Sequence, residues 1–250
     1  MLNRRNVIYV YDGSFYGLMT TVFETYYSHT YPDDILPSDN MQMRFAYDYV
    51  QISADDKKAE RVIDSILKKI SPNALYRIYC VYLSPLNDKE MCILDFLIDG
   101  YKYGASIVNR LNLESASRLI NTAKNISSEA HQYLGFVRFR KLKNGIYYSE
   151  IEPKGRILSL ISQHFCKRFS SMPFLINDLN HNECLAYNGK SSEIRYADSR
   201  PMLEYAEDEE KFSDMWREFY NTIEIKERHN EKCRMNHLPK RYWRCMTEFN

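Results

Sequence analysis

Phe136-Val137-Arg138-Phe139, then Lys143-Asn144-Gly145, then Ile146-Tyr147-Tyr148-Ser149-Glu150-Ile151, is the stretch on which the reading of the fold turns. Asn-Gly between two alternating apolar runs is the strongest short-range hairpin signal, because the tight turn needs positive φ at both central positions. The hydrophobic period changes at Gly135. Beyond the hairpin, Arg156 to Phe169 has helical spacing, and Phe174 to Asp178 with Cys184 to Tyr187 forms a second hairpin turning at Asn180-His181-Asn182. A helix from about Glu207 to Glu227 follows, then a polar, basic tail containing Pro239. Before Gly135 the chain is mostly helical. Apolar positions predict helices over Asp55 to Ile70, Pro72 to Leu83, Asp88 to Tyr101 and Leu113 to Leu134, with Pro72 suited to a first turn and Pro85 ending its helix. Val7 to Tyr11 and Arg44 to Ile52 read as strands, separated by the helical pattern Phe15 to Tyr26 and a polar loop from Tyr31 to Asn40. The expected fold is α+β: a strand and mostly helical lobe at 1–134, then a hairpin-helix-hairpin sheet at 135–250 with a C-terminal helix and basic tail, or the two as one continuous domain.

A length of 250 residues allows one large domain or two small ones. Apolar residues at 44% and charged residues at 27% exclude a disordered tail, a collagen-like repeat and a coiled-coil rod. No stretch approaches the roughly 18 uncharged apolar residues of a membrane helix, and Met1 to Asn6 lacks the apolar run of an export signal. A cytoplasmic chain without membrane contact is expected. Cys80, Cys92, Cys166, Cys184, Cys233 and Cys245 are scattered without a C-x-x-C pair, and read as reduced thiols. Neither a metal nor another cofactor is expected.

With 34 basic and 33 acidic residues there is no global field to draw in nucleic acid. The distribution is uneven: Val137 to Met172 carries a balance of +6 and Met215 to Asn250 one of +3, around the acidic run Glu204 to Asp214. That run suits the positive end of a helix dipole. Gly13 and Gly17, between a strand and a helix, have the placement of a phosphate-holding turn or of a packed corner. Gly189-Lys190-Ser191 resembles the end of a P-loop, but Cys184 stands where that loop needs glycine.

Three constellations carry chemistry. Glu129-Ala130-His131 with Arg138 gathers a carboxylate, an imidazole and a guanidinium, suited to acid–base or phosphate work or to a helix end. His164 and Arg168 are four apart on one helix face, either bridging a phosphate or bordering the core. Trp216 to Tyr220, Ile225 to Asn230 and Leu238 to Trp243 interleave basic and aromatic residues, as nucleic-acid grooves and anchored terminal helices both do.

Tyr11-Asp12-Gly13-Ser14-Phe15, Glu129-Ala130-His131 with Gly135 to Phe139, His164-Phe165 with Arg168, Arg228-His229-Asn230 and Leu238-Pro239-Lys240-Arg241-Tyr242-Trp243 occur in that order along nearly the whole chain. In this combination the chain resembles a bacterial family of domains of unknown function labelled for DNA repair or DNA metabolism. The resemblance implies a partner, since members are typically encoded beside a radical SAM protein of DNA modification or repair, and some are fused to a uracil-DNA glycosylase. This chain lacks the cluster-binding cysteines of the former and the room for the latter, which implies the unfused accessory form. It departs from the family at Asn180, where a basic residue is usual, and at Glu231, where proline is usual.

The leading expectation is a DNA-binding accessory protein whose radical SAM partner supplies the chemistry. Arg138, Arg168, Arg228 and Arg241 would grip phosphates with Asn230 beside them, and Tyr242 or Trp243 would stack on an exposed base. One alternative is an enzyme acting directly on DNA, with Glu129 and His131 as acid–base or metal-binding groups, His164 assisting and Asp178 a further candidate. The other is an interaction scaffold without DNA contact.

Overall fold

The computed structural model describes residues 3–4, 6–40, 44–197, 203–223, 225 and 230–249, and its fold is α+β. It divides into two compact units, Met1–Ile126 and Ser127–Asn250. Among the described residues, no helix is long and apolar enough to cross a membrane.

The first unit runs β1 (Asn3–Arg4), β2 (Val7–Tyr11), α1 (Phe15–Tyr27), β3 (Thr30–Tyr31), β4 (Asp34–Pro37), β5 (Asp48–Gln51), α2 (Asp56–Lys69), α3 (Pro72–Tyr82), α4 (Lys89–Tyr103) and α5 (Glu114–Phe136), inside which the border between the units falls. β2 is the centre of a three-stranded parallel sheet between β4 and β5. Parallel strands are covered on both faces, and Ile8, Tyr9, Val10 and Tyr11 are all buried. Ser14, Asp55 and Ser71 cap α1, α2 and α3 by accepting from the amides of Gly17, Lys58 and Ala74 at 2.9, 3.1 and 3.1 Å. The stretch expected as a loop, Tyr31 to Asn40, contains β4, whose single buried residue Ile35 is too weak a signal to read locally. The strand expected over Arg44 to Ile52 is confined to β5. The turn at Gly13 does not offer an open anion cradle, because the Asp12 carboxylate fills the helix start: it accepts from Ser14 N at 3.0 Å and Ser14 Oγ at 2.7 Å, and a Cβ on Gly17 would lie 2.0 Å from it.

In the second unit the end of α5 leads to β6 (Arg140–Lys141), β7 (Tyr147–Ile151), α6 (Leu158–Phe169), β8 (Phe174–Asp178), β9 (Glu183–Tyr187), β10 (Ser192–Tyr196), α7 (Glu209–Thr222) and α8 (Glu231–His237), then 3-10 turns at Lys240–Cys245 and Thr247–Phe249. The five strands lie in chain order, β7 and β8 parallel and joined by α6, the other pairs antiparallel. Leu158, Ile161 and Phe165 of α6 are buried with Phe174, Ile176 and Leu185 of the sheet. The helix and the second hairpin match the sequence pattern; in the first turn Gly145 has a positive φ of 83° and Asn144 does not, so one residue rather than two is left-handed there.

The structure differs from that pattern in four places. Phe136 to Phe139 is not a strand: α5 continues through Gly135, because Tyr133 and Phe136 pack on Tyr242 at 5.1 and 5.0 Å and offset the roughly 1 kcal/mol cost of a helical glycine. The partner strand is only β6, and its outer edge is taken up by the segment that leads into α7: the Lys141 amide donates to Glu209 Oε2 at 2.7 Å and the Lys141 carbonyl accepts from Ala206 N at 3.0 Å. β10 carries no hydrophobic alternation and all five of its residues are exposed. The basic tail is in part packed, with Tyr242 and Met246 buried.

In the first unit, the Tyr11 hydroxyl donates to Glu90 Oε1 at 2.8 Å, and both residues are buried. Burial raises the Glu90 carboxyl above its ordinary range despite that hydrogen bond. A carboxyl raised in the folded state contributes stability that is full below the unfolded pKa and lost as pH rises through the folded one. From about pH 4 upward, wild type should therefore lose stability relative to Glu90→Gln, by about 1.4 kcal/mol for each pH step of one between the unfolded and the folded pKa. Urea unfolding of both proteins across that range checks this, and a pH-independent difference rules it out.

Candidate functional site

α7 lies with its polar side inward. Glu209, in its first turn, accepts from Lys141 N at 2.7 Å and from Ser213 Oγ at 3.3 Å, and both Glu209 and Ser213 are buried. Further along, Trp216 Nε1 donates to Glu248 Oε2 at 3.0 Å. Glu248 also receives a fork from Arg138, Nε at 3.1 Å and Nη2 at 2.7 Å, while Arg138 Nη1 donates to the Gly135 carbonyl at 2.7 Å and so caps α5. Burial opposes the charge on Glu248, yet the bonds from Arg138 and Trp216 hold its carboxyl below the usual range. With these polar groups facing in, Phe212, Met215, Trp216, Phe219 and Ile223 form an exposed stripe.

Between this helix, the end of α5 and α6 runs a groove of about 780 Å³. Phe139, Tyr147, Phe165, Phe169, Phe212 and Trp216 line it, with Phe139 only 4.4 Å from Phe169 and 5.5 Å from Phe165. Arg168 and Lys141 stand at the groove, and neither makes an ion pair among the described residues. Asp208 and Glu209 are its acids.

The other residues singled out from the sequence are placed elsewhere. Glu129 is 5% exposed, and its two carboxylate oxygens accept from Lys154 N and Gly155 N, each at 3.1 Å. Asp178 is fully buried, accepting from Asn180 N at 3.0 Å and His181 N at 3.2 Å, with its second oxygen 2.7 Å from His181 Nδ1. Asn180 Nδ2 donates to the Pro153 carbonyl at 2.8 Å. Both carboxylates thus hold backbone around the β7–α6 loop and the β8–β9 turn. His131 and His164 are exposed, and the structure does not join either to these acids. Among the described residues, no group of three or more His, Cys, Asp or Glu is placed to hold a metal ion.

The C-terminal candidates are largely engaged. Tyr242 donates to Gln132 Oε1 at 2.7 Å and is 3% exposed, so its ring has no face for a base. Arg241 donates to the Tyr242 hydroxyl and lies 3.5 Å from Glu129 Oε1. Trp243 stacks on Phe249 at 4.3 Å and donates to the Leu238 carbonyl at 3.1 Å. Asn230 caps α8 through Cys233 N at 2.9 Å. Arg228 lies outside the described residues. Of the residues expected to bind nucleic acid, Arg168 is exposed at the groove, and Arg138 lines it already bound to Glu248.

The family model for a domain of unknown function, DUF4130, matches residues 87–248. The chain belongs to the DUF4130 family. No curated protein matches it. The DUF4130 match includes the whole groove and leaves out Tyr11 to Phe15, one of the segments on which the sequence resemblance drew.

The sequence reading missed Phe139, Lys141 and Phe212. The spacing of Phe212, Met215, Trp216, Phe219 and Ile223 marks one helix face, but such a face points to the core by default. A second missed cavity, of about 1040 Å³ in the first unit, is lined by Tyr26, Tyr31, Asp95, Asp99 and Ser115, which sequence separation hides. There Tyr31 donates to Asp95 at 2.6 Å and Ser115 to Asp99 at 2.5 Å.

Glu129→Ala should lower unfolding free energy by at least about 2 kcal/mol, since it strands two backbone amides. His131→Ala should change it by less than about 0.5 kcal/mol. Equal effects in urea unfolding would show that the two side chains work as a pair.

Proposed function

We propose that this DUF4130 protein binds single-stranded DNA in the groove beside α7, as an accessory to a radical SAM protein of DNA modification or repair. The observation that carries the reading is the combination of a ring-lined groove with Arg168 and Lys141, whose side chains make no ion pair among the described residues. Single strands are held by stacking bases on aromatic faces while cations follow the phosphates, and the groove offers both. Phe212 and Trp216 are the stacking faces, and Arg168 and Lys141 the phosphate contacts. The direct-enzyme reading is weaker, because Glu129 and Asp178 already accept from backbone amides.

A scaffold reading has one observation in its favour: the exposed stripe of α7 extends past the groove to Phe219 and Ile223. In that reading the stripe docks on the radical SAM protein and DNA is not bound.

Fluorescence anisotropy with a labelled single-stranded oligonucleotide at several salt concentrations separates the two. Affinity should fall steeply with salt, Phe212→Ala should weaken it about tenfold, and Arg168→Ala should lower the salt slope by about 1. Salt-independent binding, or variants equal to wild type, would overturn the groove assignment. Absence of DNA binding with capture of the purified radical SAM protein would put the scaffold in its place.

A further inference from the structure

A smaller cavity of about 110 Å³ shares Arg138 with the groove and is walled by β6, β7, α7 and the C-terminal turns. On the scale where one water needs some 10–15 Å³, it holds several waters or one tetrahedral oxyanion with waters beside it. Four arginines line it: Arg138, Arg140, Arg217 and Arg244. Three are matched by carboxylates, Arg138 by Glu248, Arg217 by Asp214 at 2.6 Å and Arg244 by Glu152 at 2.7 Å. Arg140 makes no ion pair among the described residues; its guanidinium lies 3.5 Å over the Tyr205 ring. The acid in the wall is Glu150, which accepts from the Tyr148 hydroxyl at 2.9 Å.

Two buried polar atoms of residues that line this cavity have no hydrogen-bond partner among the described residues. One is Nε of Arg140 and the other is Oγ of Ser149, a residue 2% exposed. Buried donors left unmet are costly, and here both can donate. A ligand that satisfies them must be rich in acceptors, and the Arg140 guanidinium, without a carboxylate among the described residues, favours a negatively charged one. Planar guanidinium forks with a hydroxyl suit a tetrahedral oxyanion, whose several oxygens accept from different directions.

We propose that this cavity binds a phosphoryl group, either free phosphate or the terminal phosphate monoester of a larger molecule, with Arg140 Nε and Ser149 Oγ donating to it. The site does not depend on the groove's binding DNA. Arg217 and Arg244 keep their own carboxylates in the wall.

The test uses the full chain, with calorimetry and thermal unfolding in millimolar inorganic phosphate against chloride at equal ionic strength. Phosphate should bind and raise the melting temperature of wild type, and Arg140→Gln and Ser149→Ala should each weaken binding about tenfold or more. Ser149→Ala removes an unmet buried hydroxyl, so without phosphate it should be at least as stable as wild type, which separates loss of the site from loss of the fold. A 5′-phosphorylated oligonucleotide binding more tightly than its 5′-hydroxyl form, with the difference lost in Arg140→Gln, identifies the source as a phosphate end; equal binding with phosphate still bound identifies free phosphate. No phosphate binding, or unchanged binding in both variants, overturns the proposal.

Discussion

The Glu248 carboxylate sits almost wholly buried between the Arg138 guanidinium and the Trp216 indole, and the outer layer of the second unit is arranged around it. A buried charge is tolerated only when it is well paired, and the Arg138 fork with the indole N–H meets that condition. Arg138 in turn closes the end of α5, and Trp216 fixes the middle of α7. Together with Glu209 on the Lys141 amide, these bonds commit the polar side of α7 to the interior. The apolar stripe then has nowhere to go but outward, and the groove exists because of it.

Much of the fold was legible because its signals are local. The Asn144-Gly145 turn, the capped starts of α1, α2 and α3, and the alternation of β8 and β9 each lie within a few residues of what they determine. What was hidden depends on partners distant in sequence. Nothing near Gly135 tells that Tyr242 will hold the helix through it, and nothing near Lys141 tells that Glu209 will take its amide. β4 and β10 are strands by pairing rather than by pattern, one with a single buried side chain and the other with none.

The candidate site shows the same division. The interleaving of basic residues with aromatics is plain in the sequence of the second unit, but composition cannot say which of them are already spoken for. Arg138 meets Glu248 from 110 positions away, Tyr242 reaches Gln132 over the same span, and Trp243 folds against Phe249. Glu129 and Asp178 look catalytic beside histidines in the sequence, yet both are acceptors for backbone amides. Arg168 sits on the exposed side of α6, where the partition of its helix between Phe165 inside and charge outside is readable from the spacing alone.

A chain with nearly equal acids and bases can still present a surface for a polyanion, because neutrality is achieved pair by pair rather than everywhere. In the basic stretch Val137 to Met172, Arg138, Lys143 and Arg156 are matched by Glu248, Glu204 and Glu183. Arg140, Lys141, Lys154, Lys167 and Arg168 have no such match among the described residues, and Lys167 with Arg168 falls in the last turn of α6, where the helix dipole favours cations. Arg138, Ser213 and Thr247 line both the groove and the arginine cavity, so the neutral Arg138–Glu248 pair is a shared wall. Arg168 lines the groove and Arg140 the cavity, each a guanidinium without a carboxylate among the described residues, one open to solvent among aromatic rings and one beside a buried hydroxyl that has no partner among those residues. On the readings proposed above, the first arrangement would take an extended anion with rings of its own, and the second a compact one.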